Sequence, residues 1–260
     1  MLIELTALVL RTVTISELDK IITLYSAERG IVTAGAKGAM VHKNRAIAAC
    51  QPFCYAKFIL YRRGDKCWVR EAEIIEGFYD IRLDITKLAL ASYFCEVLGE
   101  AGTNQPDPQL LRLALNSLYA ISKDTFDHDL IKAAFEMRFA ALLGWMPDLE
   151  GCHVCGRSED PSFVLDLSNG VLTCKECRLA AGENNWVYPD HEDIPLRIEI
   201  LNPGALAALR YTLYAPLHKL FSFRVSGEDK HIFCRVCETY LLYQMERTFQ
   251  SLIFYRSMKE

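Results

Sequence analysis

Cys152, Cys155, Cys174 and Cys177 form two C-x-x-C pairs separated by eighteen residues, a spacing that lets four thiolates converge on one tetrahedral zinc ion. Each pair lies in turn-forming sequence, Cys152-His153-Val154-Cys155-Gly156 and Cys174-Lys175-Glu176-Cys177. A bending backbone there can bring two sulfurs to about 2.3 Å from one metal. Phe163 to Leu167 and Val171 to Thr173 flank Ser168-Asn169-Gly170, where Asn-Gly supplies the positive φ angles of a tight hairpin. The segment therefore predicts a small zinc ribbon. Four sulfurs close the shell and leave no position for water or substrate, so the single Zn2+ is structural rather than catalytic. Two structural disulfides and a thiol redox pair are the competing readings of the same spacing.

A reducing compartment argues against disulfides. The start of the chain, Met1-Leu2-Ile3-Glu4, carries no basic segment ahead of an apolar core, which places the protein in the cytoplasm. No uncharged apolar run approaches the roughly 20 residues of a spanning helix, so no integral membrane protein is expected. Cys234 and Cys237 repeat the C-x-x-C spacing inside a helical pattern, where they are neighbours on one face, and with Cys50, Cys54, Cys67 and Cys95 they read as small buried residues. The sequence contains no G-x-x-x-x-G-K-[ST] phosphate loop, no H-E-x-x-H and no G-x-S-x-G nucleophile turn. A non-enzymatic protein is the expectation.

The elements around the cysteines divide by periodicity. Ile3, Leu5, Ala7 and Val9 alternate against Glu4 and Thr6; Lys20 to Tyr25 and Gly30 to Ala36 form one expected hairpin, Gln51 to Tyr61 and Cys67 to Ile74 another about Arg63-Gly64-Asp65. Five strands in about eighty residues suggest an OB-fold barrel. From Asp84 the period becomes helical, with helices expected from about Asp84, over Leu110 to Ile121, over Asp127 to Leu143, after Asn202-Pro203, and from Ser226 continuously to about Phe254. The fold class is α+β and multidomain: an amino-terminal five-stranded OB-fold barrel over residues 1–80, an α-helical domain over 81–148 and 181–260, and the zinc ribbon inserted at 149–180.

Charge is uneven along this frame. The chain has a formal net charge of -4, yet residues 29–70 carry nine basic residues against the single acid Asp65. The barrel thus attracts phosphate while the rest repels it. Lys37, Lys43, Arg45, Arg62, Arg63 and Lys66 are the candidate phosphate contacts, on or beside loops and strand ends. Phe53, Tyr55, Phe58 and Tyr61 interleave with them, and Trp68 lies on the next strand. Phe53, Tyr55 and Tyr61 share one strand face and Phe58 the other, so one set fills the barrel; Tyr55 and Tyr61, whose hydroxyls tolerate water, are the candidates for stacking on bases.

The order of several short segments is similar to that of the RecO family of recombination mediators. These are Thr6 to Thr12, Lys20 to Leu24 leading to Gly30-Ile31, Ala36-Lys37-Gly38-Ala39, Gln51-Pro52-Phe53, Leu60-Tyr61-Arg62, Glu71 to Ile74, Ala91 to Phe94, and Phe135-Glu136-Met137-Arg138-Phe139 with Leu142-Leu143-Gly144-Trp145 ahead of the cysteines. The resemblance implies an OB-fold followed by a helical domain with a four-cysteine zinc site. It implies a DNA repair and recombination protein that binds single- and double-stranded DNA and anneals complementary strands in the nucleoid. It also implies that RecR and single-strand-binding protein act with it to load the recombinase at gaps, with RecF as a further partner. Arg138, on the family-like helix, is the candidate receptor for the acidic carboxyl-terminal tail of single-strand-binding protein. Where relatives carry consecutive basic residues after Ala39, this chain has Met40-Val41-His42, which implies weaker intrinsic DNA affinity. The alternative function is a zinc-stabilised adaptor that scaffolds a repair complex and contacts DNA weakly by itself.

Overall fold

A computed structural model describes residues 1–16, 19–37, 46–101, 106–182 and 198–259, and these form two compact units, residues 1–125 with 248–260 and residues 126–247. Among the described residues no helix is long and apolar enough to cross a membrane.

In the first unit, β1 (Leu2–Thr14), β2 (Lys20–Ser26), β3 (Gly30–Ala36), β4 (Tyr55–Arg63) and β5 (Lys66–Glu76) close a barrel in the order β1-β2-β3-β5-β4. All neighbours are antiparallel except β3 and β5, which close the barrel in parallel through Ala34↔Cys67 and Gly35↔Trp68. This is the OB-fold expected from the alternation. Ile3, Leu5, Ala7, Ile22, Leu24, Ala34, Ala56, Phe58 and Leu60 point inward and are buried together, because successive strand residues face opposite sides. Closure through the Ala34 and Gly35 pairs ties β3 to β5.

The strand expected from Gln51 begins later, at Tyr55. Residues Gln51 to Cys54 turn instead, with Phe53 at φ 71°. Its N–H donates to the Val9 carbonyl at 2.8 Å while the Val9 N–H donates to the Cys54 carbonyl at 2.9 Å. Arg82 adds a guanidinium bond to the Pro52 carbonyl, and the Phe53 ring is buried. Phe53 is thus core, off the strand face shared by Tyr55 and Tyr61. The short α1 (Ala46–Ala49) precedes this turn.

Helices α2 (Ile85–Glu100) and α3 (Pro108–Lys123) belong to the same unit. Asp84 caps α2 by accepting from the Thr86 and Lys87 amides at 2.8 and 2.9 Å, and Asp107 caps α3 ahead of Pro108, the start signals the sequence carries.

The second unit contains α4 (His128–Leu142), β6 (Asp148–Cys152), β7 (Phe163–Asp166), β8 (Val171–Thr173), α5 (Lys175–Ala181), β9 (Ile198–Leu201), α6 (Pro203–Tyr214) and α7 (Gly227–Met245). The sheet runs β6-β8-β7-β9, so the ribbon hairpin gains a strand, β9, that the sequence did not advertise. α4 packs on α6 and α7, with buried Lys132 and Glu136 and half-buried Glu238 forming an ion triad in which the ammonium meets both carboxylates at 2.8 Å.

The last helix does not run unbroken to Phe254. Glu246 takes the left-handed conformation at φ 52° and closes α7, and the chain re-enters a helix as α8 (Gln250–Ser257) in the first unit. Phe249 at that start packs edge-on against Tyr93 at 5.6 Å, and the Glu96 carboxylate accepts from the Ser251 amide at 3.1 Å. Burying Phe249 and capping α8 on α2 outweigh continuing one long helix. Ser226 sits at the start of α7 but its hydroxyl makes no capping bond.

Candidate metal centre and nucleic-acid interface

The four cysteines meet as their spacing requires: the Sγ atoms of Cys152, Cys155, Cys174 and Cys177 all lie within 4.8 Å of one another. A tetrahedron with 2.3 Å metal–sulfur bonds has edges of about 3.8 Å, and the Cys155 and Cys174 sulfurs are 3.7 Å apart. The cluster fits one metal ion with four sulfur ligands.

Local backbone chemistry builds each half. β6 delivers Cys152, whose carbonyl accepts from the Gly156 amide at 2.7 Å and whose N–H donates to the Arg157 carbonyl at 2.8 Å. Gly151 is required there, since a Cβ would stand 2.9 Å from the Arg157 carbonyl oxygen. The second pair is not a plain turn as expected. Cys174 is the N-cap of α5, its sulfur accepting from the Cys177 amide at 3.5 Å, so the thiolate faces the positive end of that short helix. Arg157 and Glu176, one from each half, pair at 2.6 Å.

Sulfur charge is uneven. Burial pushes the Cys152 thiol up, but amide donation from Cys174, Cys155 and Val154 outweighs it and leaves Cys152 at about 6. Hydrogen bonding with Cys174 and Cys155 pushes Cys177 to about 12. One thiolate forms readily and the next is resisted by its neighbours, a charge problem that a bound dication removes.

The hairpin between the pairs differs from the expected Asn-Gly turn. Residues 167–170 form the loop, and of Asn169 and Gly170 only Gly170 has positive φ, at 65°. Asp166 shapes it instead, accepting from the Ser168 amide at 2.8 Å and from the Asn169 side chain at 2.7 Å. α7 fastens it: Tyr243 bonds Ser168 at 2.7 Å, and Gln244 donates to the Leu167 carbonyl at 2.9 Å. Cys234 and Cys237 lie on α7 with burial raising both thiols, which suits the buried-residue reading.

On the barrel the outer surface is segregated by charge. At one end Tyr61 of β4 stands across from Trp68 of β5, with Arg62↔Cys67 and Arg63↔Lys66 continuing to the turn. Gly64 opens that turn at φ 60°, the backbone a type II′ hairpin needs. The Trp68 ring packs against Gly35 of β3, where an added Cβ would stand 2.3 Å from ring atom Cζ3. The Lys37 ammonium sits 4.6 Å from the Trp68 ring centroid. Tyr61 is 46% exposed. No carboxylate pairs with Lys37, Arg62, Arg63 or Lys66 among the described residues; the Arg62 Nε–H donates only to the Gly64 carbonyl, at 3.0 Å.

Further along the same strands the sign reverses. Lys57 pairs across with Glu73, and Glu4, Glu28, Glu71 and Glu73 line a shallow groove around it. Tyr55 lies in this acidic part, opposite Glu76, and burial together with the Glu28 carboxylate pushes its phenol up. Six residues of strand, about 20 Å, separate it from Tyr61.

The structure therefore brings Lys37, Arg62, Arg63, Lys66 and Tyr61 together and does not bring Tyr55 to them. Lys43 and Arg45 lie outside the described residues. Trp68 is the member that sequence reasoning left unassigned. Its signal was available: a two-residue turn at Gly64-Asp65 sets the register that places Trp68 opposite Tyr61.

Arg138, in the second unit, is partly buried on α4, donates to the Ala215 carbonyl and has a buried Nε without a hydrogen-bond partner. Burial lowers its guanidinium from the usual value.

Comparison with known proteins agrees with this arrangement. Residues 1–78 match the family described as recombination protein O N terminal, and residues 82–253 the one described as recombination protein O C terminal. The chain is 30% identical to a DNA repair protein RecO of Acetivibrio thermocellus over 98% of this chain and 97% of the relative. It is 32% identical to one of Desulforamulus reducens over 96% and 93%, and 31% identical to one of Bacillus pumilus over 92% and 88%. With both its barrel and its helical, four-cysteine portion matched, the chain belongs to the RecO family of DNA repair proteins.

Proposed function

We propose that this protein binds single- and double-stranded DNA through the basic end of its barrel, anneals complementary strands, and acts with RecR and single-strand-binding protein to load the recombinase at gaps. RecF is a further partner, and the site of action is the nucleoid. The observation that carries the reading is the group of four cations, Lys37, Arg62, Arg63 and Lys66, without a carboxylate partner among the described residues and gathered at one end of a closed barrel. Annealing two polyanions requires their repulsion to be neutralised, and cations that already pair with carboxylates do not supply this. Cations free of such partners release counterions from each phosphate they meet. Contact with phosphate and with base faces leaves Watson–Crick edges free to find a complement. No step hydrolyses anything.

The metal is zinc in this reading. Four cysteine sulfurs at tetrahedral spacing are the donor set zinc takes in closed structural sites. Cys152, Cys155, Cys174 and Cys177 would hold it, and its contribution is the shape of the ribbon.

Net charge of -4 and the acidic groove around Lys57 favour the second reading, an adaptor whose barrel meets DNA only inside a complex. The deciding experiment follows annealing of two complementary oligonucleotides by the metal-loaded protein alone and with RecR. Acceleration by the protein alone that disappears in Lys37→Ala/Arg62→Ala/Arg63→Ala supports the mediator. Acceleration only after RecR is added supports the adaptor, and none in either tube removes both.

A further inference from the structure

The barrel face described above holds one feature that cations and Tyr61 do not explain, the stack Gly35, Trp68, Lys37. Trp68 is a large side chain on the outside of a strand, where nothing in the barrel core requires it. Its outward direction follows from alternation: Cys67 and Val69 on either side pack against the buried core. Gly35 is the only residue type that admits the ring so close to the β3 backbone, with Cζ3 and Cε3 at 2.3 and 2.4 Å from where a Cβ would be. A glycine inside a strand weakens it and often marks a close approach. Here the approach is that of the half-buried indole, and the Lys37 ammonium sits 4.6 Å from its ring centroid.

Resting on the DNA-binding reading above, we propose that Trp68 is the platform on which one unpaired base of single-stranded DNA stacks, seated against Gly35, with Lys37 as a displaceable cap that moves from the ring to the adjoining phosphate. Tyr61, directly across on β4, takes the neighbouring base. The cap keeps the apolar face covered while the strand is absent. A base offers the ring a larger stacking surface, and the released ammonium gains a phosphate, so the exchange conserves favourable partners on both sides. Duplex DNA cannot use the platform, because both faces of each internal base are already stacked. The site therefore distinguishes unpaired from paired DNA although both reach the same cations.

The test titrates the full-length, metal-loaded protein with oligo(dT) while following tryptophan emission and, in parallel, anisotropy of a labelled oligo(dT). The chain has three tryptophans, and the difference between wild type and Trp68→Phe isolates the Trp68 signal. Quenching by oligo(dT), lost in Trp68→Phe and absent with duplex of equal length, is expected. Trp68→Leu should weaken oligo(dT) binding by about 5- to 150-fold, more than Trp68→Phe, which keeps a ring. Gly35→Ala pushes the indole off its seat without changing charge, so it should lose the quench and favours strand geometry even where Trp68→Leu folds poorly. If anisotropy reports binding while the quench persists in Trp68→Phe, or duplex quenches equally, the platform is refuted and the DNA-binding reading stands. If wild type gives no anisotropy rise at low salt, both fall.

Discussion

The salt dependence of DNA binding gives the sharpest test of the charge pattern on the barrel. For single strands each neutralised phosphate contributes about -0.7 to the slope of log affinity against log salt. Among the described residues Lys37, Arg62, Arg63 and Lys66 have no carboxylate partner, whereas Arg70 pairs with Glu71 at 3.4 Å and Lys57 lies among Glu4, Glu28, Glu71 and Glu73. Four contacts correspond to a slope of about -2.8, or about 50-fold weaker binding at 200 mM than at 50 mM salt. Lys37→Ala/Arg62→Ala/Arg63→Ala removes three of them and should flatten the slope by about 2, leaving roughly a threefold loss from these four positions over the same range. The difference between the two proteins is insensitive to contacts made elsewhere, because those persist in both. Anisotropy of a labelled single-stranded oligonucleotide at five or so salt concentrations measures it. Lys57→Ala is the control, removing one positive charge from the acidic part of the barrel, and should leave the slope unchanged. A triple variant with the wild-type slope, or a Lys57→Ala slope as flat as the triple variant, would refute the assignment of the phosphate path.

Cys174→Ser breaks the four-sulfur shell and removes the sulfur that caps α5, so metal content should fall from about one ion per chain to near none. Residues 149–180 should become protease-sensitive, and retained metal with retained resistance would exclude the assignment. In the ion triad, Glu136 is 0% exposed, so Lys132→Met strands its carboxylate and should destabilise the second unit by about 3 to 5 kcal/mol, read by thermal or urea unfolding. Burial pulls the Lys132 ammonium down, but Glu136 and Glu238 more than offset this and hold it above the usual lysine range. Its stabilisation is then fully present below the unfolded value and lost only as pH rises through the higher folded one, so the lysine's own contribution is the same at pH 7 and pH 9; the stranded Glu136 carboxyl of Lys132→Met makes the gap to wild type widen from pH 7 to pH 9 as it ionises. Burial pushes Asp127 up, but the Lys230 ammonium and the Asp129 and Leu130 amides hold it below the usual carboxylate value. Its stabilisation is present above the unfolded value and lost as pH falls through the folded one; Asp127→Ala should cost about 1 kcal/mol at pH 7, and the difference should shrink toward pH 3.

What the sequence determined by itself is what short-range chemistry controls. The C-x-x-C pairs bring two sulfurs together within a few bonds of backbone, so the metal centre was legible from spacing. Alternation along β1 set which residues face the barrel core, and Asp84 and Asn202 announced their helices because a cap needs only the next three amides. Tertiary structure decided what depends on partners distant in the chain. It chose Tyr61 over Tyr55 as the aromatic beside the cations, because Glu28 and Glu76 come to Tyr55 from other parts of the barrel. It broke the last helix at Glu246, since Phe249 gains Tyr93 and Ser251 gains Glu96, partners about 155 positions away. It added β9 to the ribbon sheet through pairing with β7. And it laid Trp68 on Gly35, a contact between parallel strands that no turn connects. Local signals are carried by neighbours in sequence; which cation is unpaired, and which ring is presented, is settled only when closure of the barrel selects the neighbours in space.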